Sequence, residues 1–226
     1  MNILATKILS DTQKELLKPL EVSFMEYEAI SISYRAFDVP QDFDYFLITS
    51  QNAVRSLMVH LKSASDSQHI LTKSAFCVGS KTALLLGRTG LYVDHFEDNA
   101  SLLGKYLVEH HPNHTFLFLC GDKRREELPV LLNKNSIAFK ERIVYDTSLN
   151  PVALDTNYDA YLFFSPSAVK SFAMKNKPEK GIVYCIGHTT AEAAKNLKLP
   201  IRISESPTVE SVLDLVIQNL KKRQQK

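Results

Sequence analysis

Short runs of apolar, β-branched and aromatic residues alternate along the chain with stretches whose apolar positions recur every three or four residues. That alternation of a two-residue and a 3.6-residue period builds parallel α/β layers. The runs predict strands over Ile3–Ala5, Val22–Glu26, Tyr45–Thr49, Ala75–Val78 and Leu91–Asp94. Further strands are expected over Phe116–Cys120, Arg142–Thr147, Tyr161–Phe164, Ile182–Ile186 and Ile201–Ser204. Ala53, Val54, Leu57, Met58 and Leu61 fall on one face of the helix predicted after the third run, and Ala168, Val169 and Phe172 do so after the eighth. Ser50 and Ser165 stand at the N-cap positions of these helices, and Pro166 suits a first turn.

Two segments of this pattern are near-copies. Cys77-Val78-Gly79-Ser80-Lys81-Thr82-Ala83 returns as Cys185-Ile186-Gly187-His188-Thr189-Thr190-Ala191. Upstream of each, Phe46-Leu47-Ile48-Thr49-Ser50-Gln51-Asn52-Ala53-Val54 resembles Leu162-Phe163-Phe164-Ser165-Pro166-Ser167-Ala168-Val169. A strand–turn–helix arrangement used twice implies two similar parallel-sheet α/β domains. The first copy is followed by a strand–helix–strand unit, Phe116 to Tyr145, that the second lacks; the N-terminal residues, with strands at Ile3 and Val22, supply it. The expected organisation is a discontinuous domain of residues 1–34 and 149–226, with residues 35–148 inserted as the second. The chain would cross between them twice, near Ser33–Val39 and Tyr145–Asn150, a two-stranded hinge. What the copies share is Gly, Ser and Thr at helix starts, where backbone N–H groups and the helix dipole attract an anion. Twinned sites of this kind suit a large polyanionic ligand held in a cleft.

Composition narrows the classes. The 226 residues are 45% hydrophobic and 23% charged, with net charge +2. Outside the tail Lys221-Lys222-Arg223 there is no strongly basic stretch, so no nucleic-acid partner is expected. No apolar run approaches the roughly 20 residues of a membrane span, and Met1 to Lys7 leads into a strand pattern without a secretory core. Cys77, Cys120 and Cys185 are odd in number and each ends an apolar strand, which fits reduced thiols in a cytoplasm. Only seven glycines are present, and no dinucleotide fingerprint, Walker loop or Ser–His–Asp order is found. His110, His111 and His114 lack a carboxylate or thiol set at zinc spacing and read as a solvated loop; no metal is expected. A phosphoacceptor cluster of acidic strand ends, the mark of a response regulator, is also missing.

Taken in order, several short motifs resemble the uroporphyrinogen-III synthase family. They are Ile3-Leu4-Ala5-Thr6-Lys7, Thr49-Ser50-Gln51-Asn52-Ala53-Val54, Val78-Gly79-Ser80-Lys81-Thr82-Ala83, Asn99-Ala100 and Gly121-Asp122-Lys123-Arg124-Arg125-Glu126. The series continues through Val144-Tyr145-Asp146-Thr147, Phe164-Ser165-Pro166-Ser167-Ala168-Val169, Ile186-Gly187-His188-Thr189-Thr190-Ala191 and Ser206-Pro207-Thr208. Each motif alone is weak; their order spans almost the whole chain. Lys7 departs from the Arg common in the family. The resemblance implies a monomeric enzyme without cofactor. Such an enzyme takes linear hydroxymethylbilane to uroporphyrinogen III, losing water and inverting the terminal pyrrole ring, with the substrate in the inter-domain cleft. The alternative is a non-catalytic two-domain module binding carboxylates or a tetrapyrrole.

The resemblance also weights individual residues. Thr82 and Thr190 either cap helices, contributing about 1 kcal/mol each, or offer hydroxyl and N–H to substrate carboxylates; duplication and resemblance together favour binding. Thr49, Ser50, Ser165 and Ser167 carry the same two readings, and Gly79, Gly187, Lys81 and His188 belong to the same loops. Tyr145, read alone, is an aromatic that packs a connection; the resemblance makes it the catalytic candidate, a neutral phenol assisting departure of the bilane hydroxyl. Arg124 and Arg125, expected to open a helix after Gly121, are either a solvated flank or partners for propionates.

Overall fold

The computed structural model describes residues 2–18, 22–63, 67–154 and 157–224. In chain order the first elements are β1 (Asn2–Ala5), α1 (Asp11–Glu15), β2 (Ser23–Glu26), β3 (Ile30–Tyr34), β4 (Tyr45–Ile48), α2 (Gln51–Ser63), α3 (Ser67–Leu71), β5 (Ser74–Val78) and α4 (Ser80–Gly87). Then come β6 (Tyr92–Glu97), α5 (Ala100–His110), β7 (Thr115–Gly121), α6 (Glu127–Lys134) and β8 (Ala138–Leu149). The last are β9 (Ala160–Phe163), α7 (Pro166–Ala173), β10 (Ile182–Cys185), α8 (His188–Ala194), β11 (Ile201–Ile203) and α9 (Val209–Gln224). By contacts the chain divides into two compact units: Met1–Ser31 with Ser148–Lys226, and Ile32–Thr147.

The first unit holds a sheet of order β11-β10-β9-β1-β2, every pairing parallel. The second holds the order β3-β8-β7-β4-β5-β6, parallel from β8 to β6. Setting β3 aside, β8, β7, β4, β5 and β6 occupy the places of β2, β1, β9, β10 and β11. One topology is thus built twice, its first two strands supplied by the N-terminus in one unit and by a later segment in the other. The α/β class read from periodicity holds.

Each sheet is covered on both faces, which is why its inner strands read as unbroken apolar runs. In the first unit Ile3, Ala5, Leu162 and Tyr184 point to Val212, Leu213 and Val216 of α9. The alternate residues Leu4, Tyr161, Phe163 and Val183 meet α7 through Val169 and Phe172, and α8 through Ala191 and Ala194. In the second unit Phe46, Ile48, Ala75 and Leu119 face Val54 and Leu57 of α2, while Phe76, Phe116 and Phe118 face Leu103 and Leu107 of α5. Successive side chains diverge to opposite faces, and each fully buried Leu, Ile or Phe contributes about 1.5–3 kcal/mol.

Several expectations need correction. β3 was not anticipated as a separate strand, and β8 runs twelve residues where six were expected. Lys140, Arg142 and Asp146 interrupt its apolar positions because the strand is largely half-buried or exposed. Arg124 and Arg125 precede α6 rather than opening it. His111 and His114 are not a solvated loop: their rings pack at 5.6 and 5.2 Å from Tyr45, and His111 lies 4.7 Å from Phe76. Burial and the neighbouring His114 push His111 below its ordinary pKa. Cys77, Cys120 and Cys185 are buried, as expected of thiols on inner strands, and carry no disulfide among the described residues. The tail Lys221-Lys222-Arg223 falls in α9, with its side chains outside those described. Among the described residues no helix is long and apolar enough to cross a membrane, and no group of three or more His, Cys, Asp or Glu is placed to hold a metal.

Candidate functional site

In both sheets the chain leaves two neighbouring strands in opposite directions: β4 toward β5 and β7 toward β8, β9 toward β10 and β1 toward β2. A crevice opens at the carboxyl ends of such a pair, the usual place for a ligand in an open α/β sheet. The candidate residues sit at the carboxyl ends of these strands and of their neighbours β5 and β10. Thr49 and Ser50 follow β4, Gly121 closes β7, Gly79 follows β5, Ser165 lies just beyond β9 and Gly187 beyond β10.

Tyr145 is placed by a register shift. Cys120 pairs with Ile143, but Gly121 pairs with Tyr145, so the ladder skips Val144, which is fully buried. This bulge turns Tyr145 over the end of β7. A Cβ on Gly121 would lie 2.4 Å from Cζ and 2.7 Å from Oη of Tyr145, so the ring rests against bare backbone. Beyond it, Tyr145 Oη is 3.0 Å from Ser50 Oγ. The Tyr145 phenol is held above its ordinary pKa, first by burial; Ser50 works against that shift, while Cys120 and Asp122 add to it. Asp122 itself is tied down by the Thr147 N–H at 2.8 Å.

The repeated Gly-x-x-Thr turns superpose in their bonding. Thr82 and Ala83 N–H groups donate to Gly79 C=O at 3.0 and 3.1 Å, and Thr190 and Ala191 donate to Gly187 C=O at 3.1 and 3.0 Å. Neither α4 nor α8 has a side-chain N-cap, whereas Asn99 caps α5 and Ser165 caps α7. Thr82 and Thr190 are 5% and 1% exposed, and neither hydroxyl takes a partner among the described residues. Gly79 needs its missing side chain, at φ 85°; Gly187 is extended, with nothing within 4 Å of a built Cβ. The chain's own packing therefore does not explain Gly187.

The other candidates divide. Thr49, after β4, and Ser167, in the first turn of α7, are half-buried, and Lys81 is exposed on α4. His188 is exposed and lines a groove with Glu192, Lys195, Ile201 and Ile203. The Lys7 ammonium stands 5.9 Å over the Phe164 ring. Arg124 is half-buried and already paired: its guanidinium binds both Glu141 oxygens at 2.8 and 3.0 Å, and Glu126 at 2.7 Å. Gly121 was legible only as part of a motif. Its contact with Tyr145 depends on a pairing that no local pattern encodes.

Comparison with known proteins agrees with the duplicated architecture. The sequence model of the HEM4 family, uroporphyrinogen-III synthase HemD, matches residues 9–214. The porphyrin biosynthesis protein HemD of Ruminiclostridium josui is 25% identical over 96% of this chain and 49% of its own length. The uroporphyrinogen-III synthase of Saccharomyces cerevisiae is 30% identical over 46% of this chain and 42% of its own. The chain thus spans about half the length of the curated relatives it matches. The crystal structure of uroporphyrinogen-III synthetase from Helicobacter pylori shares the fold with a TM-score of 0.76 at 20% identity, covering 96% of this chain and 99% of that one. With the family match running through both units, the chain belongs to the uroporphyrinogen-III synthase HemD family.

Proposed function

We propose that this chain is a uroporphyrinogen-III synthase, a lyase that closes linear hydroxymethylbilane into uroporphyrinogen III with inversion of the terminal ring and release of water. The observation that carries the reading is the family match across residues 9–214, which takes in both units and every candidate turn. In this reading Tyr145 gives its proton, or a strong hydrogen bond, to the departing hydroxyl. At pH 7 a phenol with a raised pKa is fully protonated, as that role requires.

Substrate carboxylates are received by the unpartnered hydroxyls of Thr82 and Thr190 and by the uncapped N–H groups beside Gly79 and Gly187. Thr49, Ser165, Ser167, Lys81 and His188 complete the set. Holding a flexible bilane with its ends in the inverted orientation lowers the barrier by several kcal/mol without a strong acid or base. The protein acts in this proposal as a cytoplasmic monomer with no cofactor.

The test supplies hydroxymethylbilane and identifies the isomer formed. Spontaneous closure gives isomer I, so protein-dependent isomer III is the expected result. Tetrapyrrole binding with only isomer I would return the non-catalytic module.

A further inference from the structure

A serine hydroxyl has one proton to donate and two lone pairs with which to accept. Ser50 Oγ uses both lone pairs at the start of α2, accepting the Asn52 N–H at 3.1 Å and the Ala53 N–H at 3.3 Å. Its third neighbour is Tyr145 Oη, at 3.0 Å. With both acceptor directions filled by backbone N–H groups, Ser50 donates and Tyr145 accepts. The phenol's own proton is then left for another acceptor, and among the described residues it finds none.

We infer that Ser50 and Gly121 are positioning residues for Tyr145, and that Ser50 orients and activates the phenol proton instead of binding substrate. The inference rests on the synthase reading of Tyr145. Gly121 lets the ring cross the end of β7, since its Cβ would fall 2.4 Å from the Tyr145 ring. Ser50 then carries the positive end of the α2 dipole, through one hydroxyl, to the phenol oxygen. As the Tyr145 O–H bond breaks, its proton joins the bilane hydroxyl. The C–O electron pair leaves with water, and the adjacent pyrrole nitrogen lone pair compensates the carbon. The phenolate, held by the Ser50 hydrogen bond, regains a proton when the attacked pyrrole carbon loses its own. The charged and titratable groups against the phenol, Asp122 and Cys120, both oppose its ionisation. Among the described residues, Ser50 is the neighbour that favours it.

The test is a titration of Tyr145 in protein labelled at tyrosine Cζ, its signal assigned by its loss in Tyr145→Phe. Because Ser50 also caps α2, Ser50→Gly is used beside Ser50→Ala, glycine being a tolerated N-cap. Both variants should raise the Tyr145 titration midpoint and lower kcat about tenfold with KM nearly unchanged, the loss expected for one hydrogen bond to a developing charge. Ser50→Thr, which keeps the hydroxyl, should restore both. Gly121→Ala should shift the Tyr145 signal, and in a Tyr145→Phe background it should lower kcat no further. An unmoved titration midpoint, or a higher KM at constant kcat, overturns the inference and makes Ser50 a substrate ligand. The titration needs no substrate. A parent protein that forms no isomer III therefore defeats the activity reading separately.

Discussion

The phenol of Tyr145 shows how little of a site's aim is written locally. Sequence order placed Tyr145 at a chain crossing, but a one-residue shift opposite Gly121 decides which way it faces, and neither residue type announces a bulge. Tyr145→Phe removes the proton and keeps the ring, so turnover should fall about 100-fold while the thermal midpoint stays near that of the parent. Wild-type kinetics in the folded variant would take Tyr145 out of the mechanism. Two other residues test packing alone. Ser171 on α7 is fully buried with its hydroxyl unbonded, an orphan that typically costs about 1–3 kcal/mol. Ser171→Ala should therefore raise the urea midpoint, and a fall would mean the hydroxyl has a role in folding. Gly181, at φ 108°, would set a Cβ 2.4 Å from the Tyr158 carbonyl oxygen, so Gly181→Ala should lower the same midpoint sharply.

At the scale of elements, legibility followed burial. Strands covered on both faces, such as β4, β7 and β10, were evident because nearly every side chain must be apolar. β3 and β8 were partly missed because their positions stay half-exposed; β8 accepts Arg142 and Asp146, and Asp146 pairs at 2.5 Å with Arg35, the residue that follows β3. The helix starts were located from sequence, but their chemistry was not. Ser165 accepts the Ala168 N–H at 3.1 Å and is engaged in capping, while Thr82 and Thr190 have no such bond. That contrast separates two kinds of variant. Ser165→Ala should cost about 1 kcal/mol of stability. Thr82→Ala and Thr190→Ala should leave stability close to the parent and lower kcat/KM several-fold each, with losses multiplying in the double variant if the sites are independent. Destabilisation by about 1 kcal/mol with normal kinetics would show that the two threonines only support their helices.

Over the whole molecule, the two copies are recognisable because equivalent places in equivalent sheets impose equivalent demands. Cys77 on β5 and Cys185 on β10 fill the same inner position, and Cys120 is the penultimate residue of β7. The permuted order of the first two strands was recoverable only by noticing which copy lacked a partner segment. The shared burial of these thiols has a consequence for stability against pH. Desolvation pushes Cys77 and Cys185 up to about 12 and Cys120 up to about 11, from an ordinary value of 9.0. The thiolate is thus favoured by unfolding, where the group is solvated and titrates normally. Because the folded values lie above the unfolded one, the stabilisation is complete below about pH 9 and declines as pH rises toward 11–12. Each thiol then removes up to about 1.4 kcal/mol per pH unit within that window. Urea midpoints measured under reducing conditions should be level from pH 7 to about 8.5 and fall steeply by pH 10.5. Replacing all three cysteines with alanine should flatten the fall, whatever it does to the midpoint at pH 7. A parent profile that stays level to pH 10.5, or an equally steep one in the triple variant, would mean that other groups set the alkaline limit. Tyr27, raised by burial to about 12, is the first to examine.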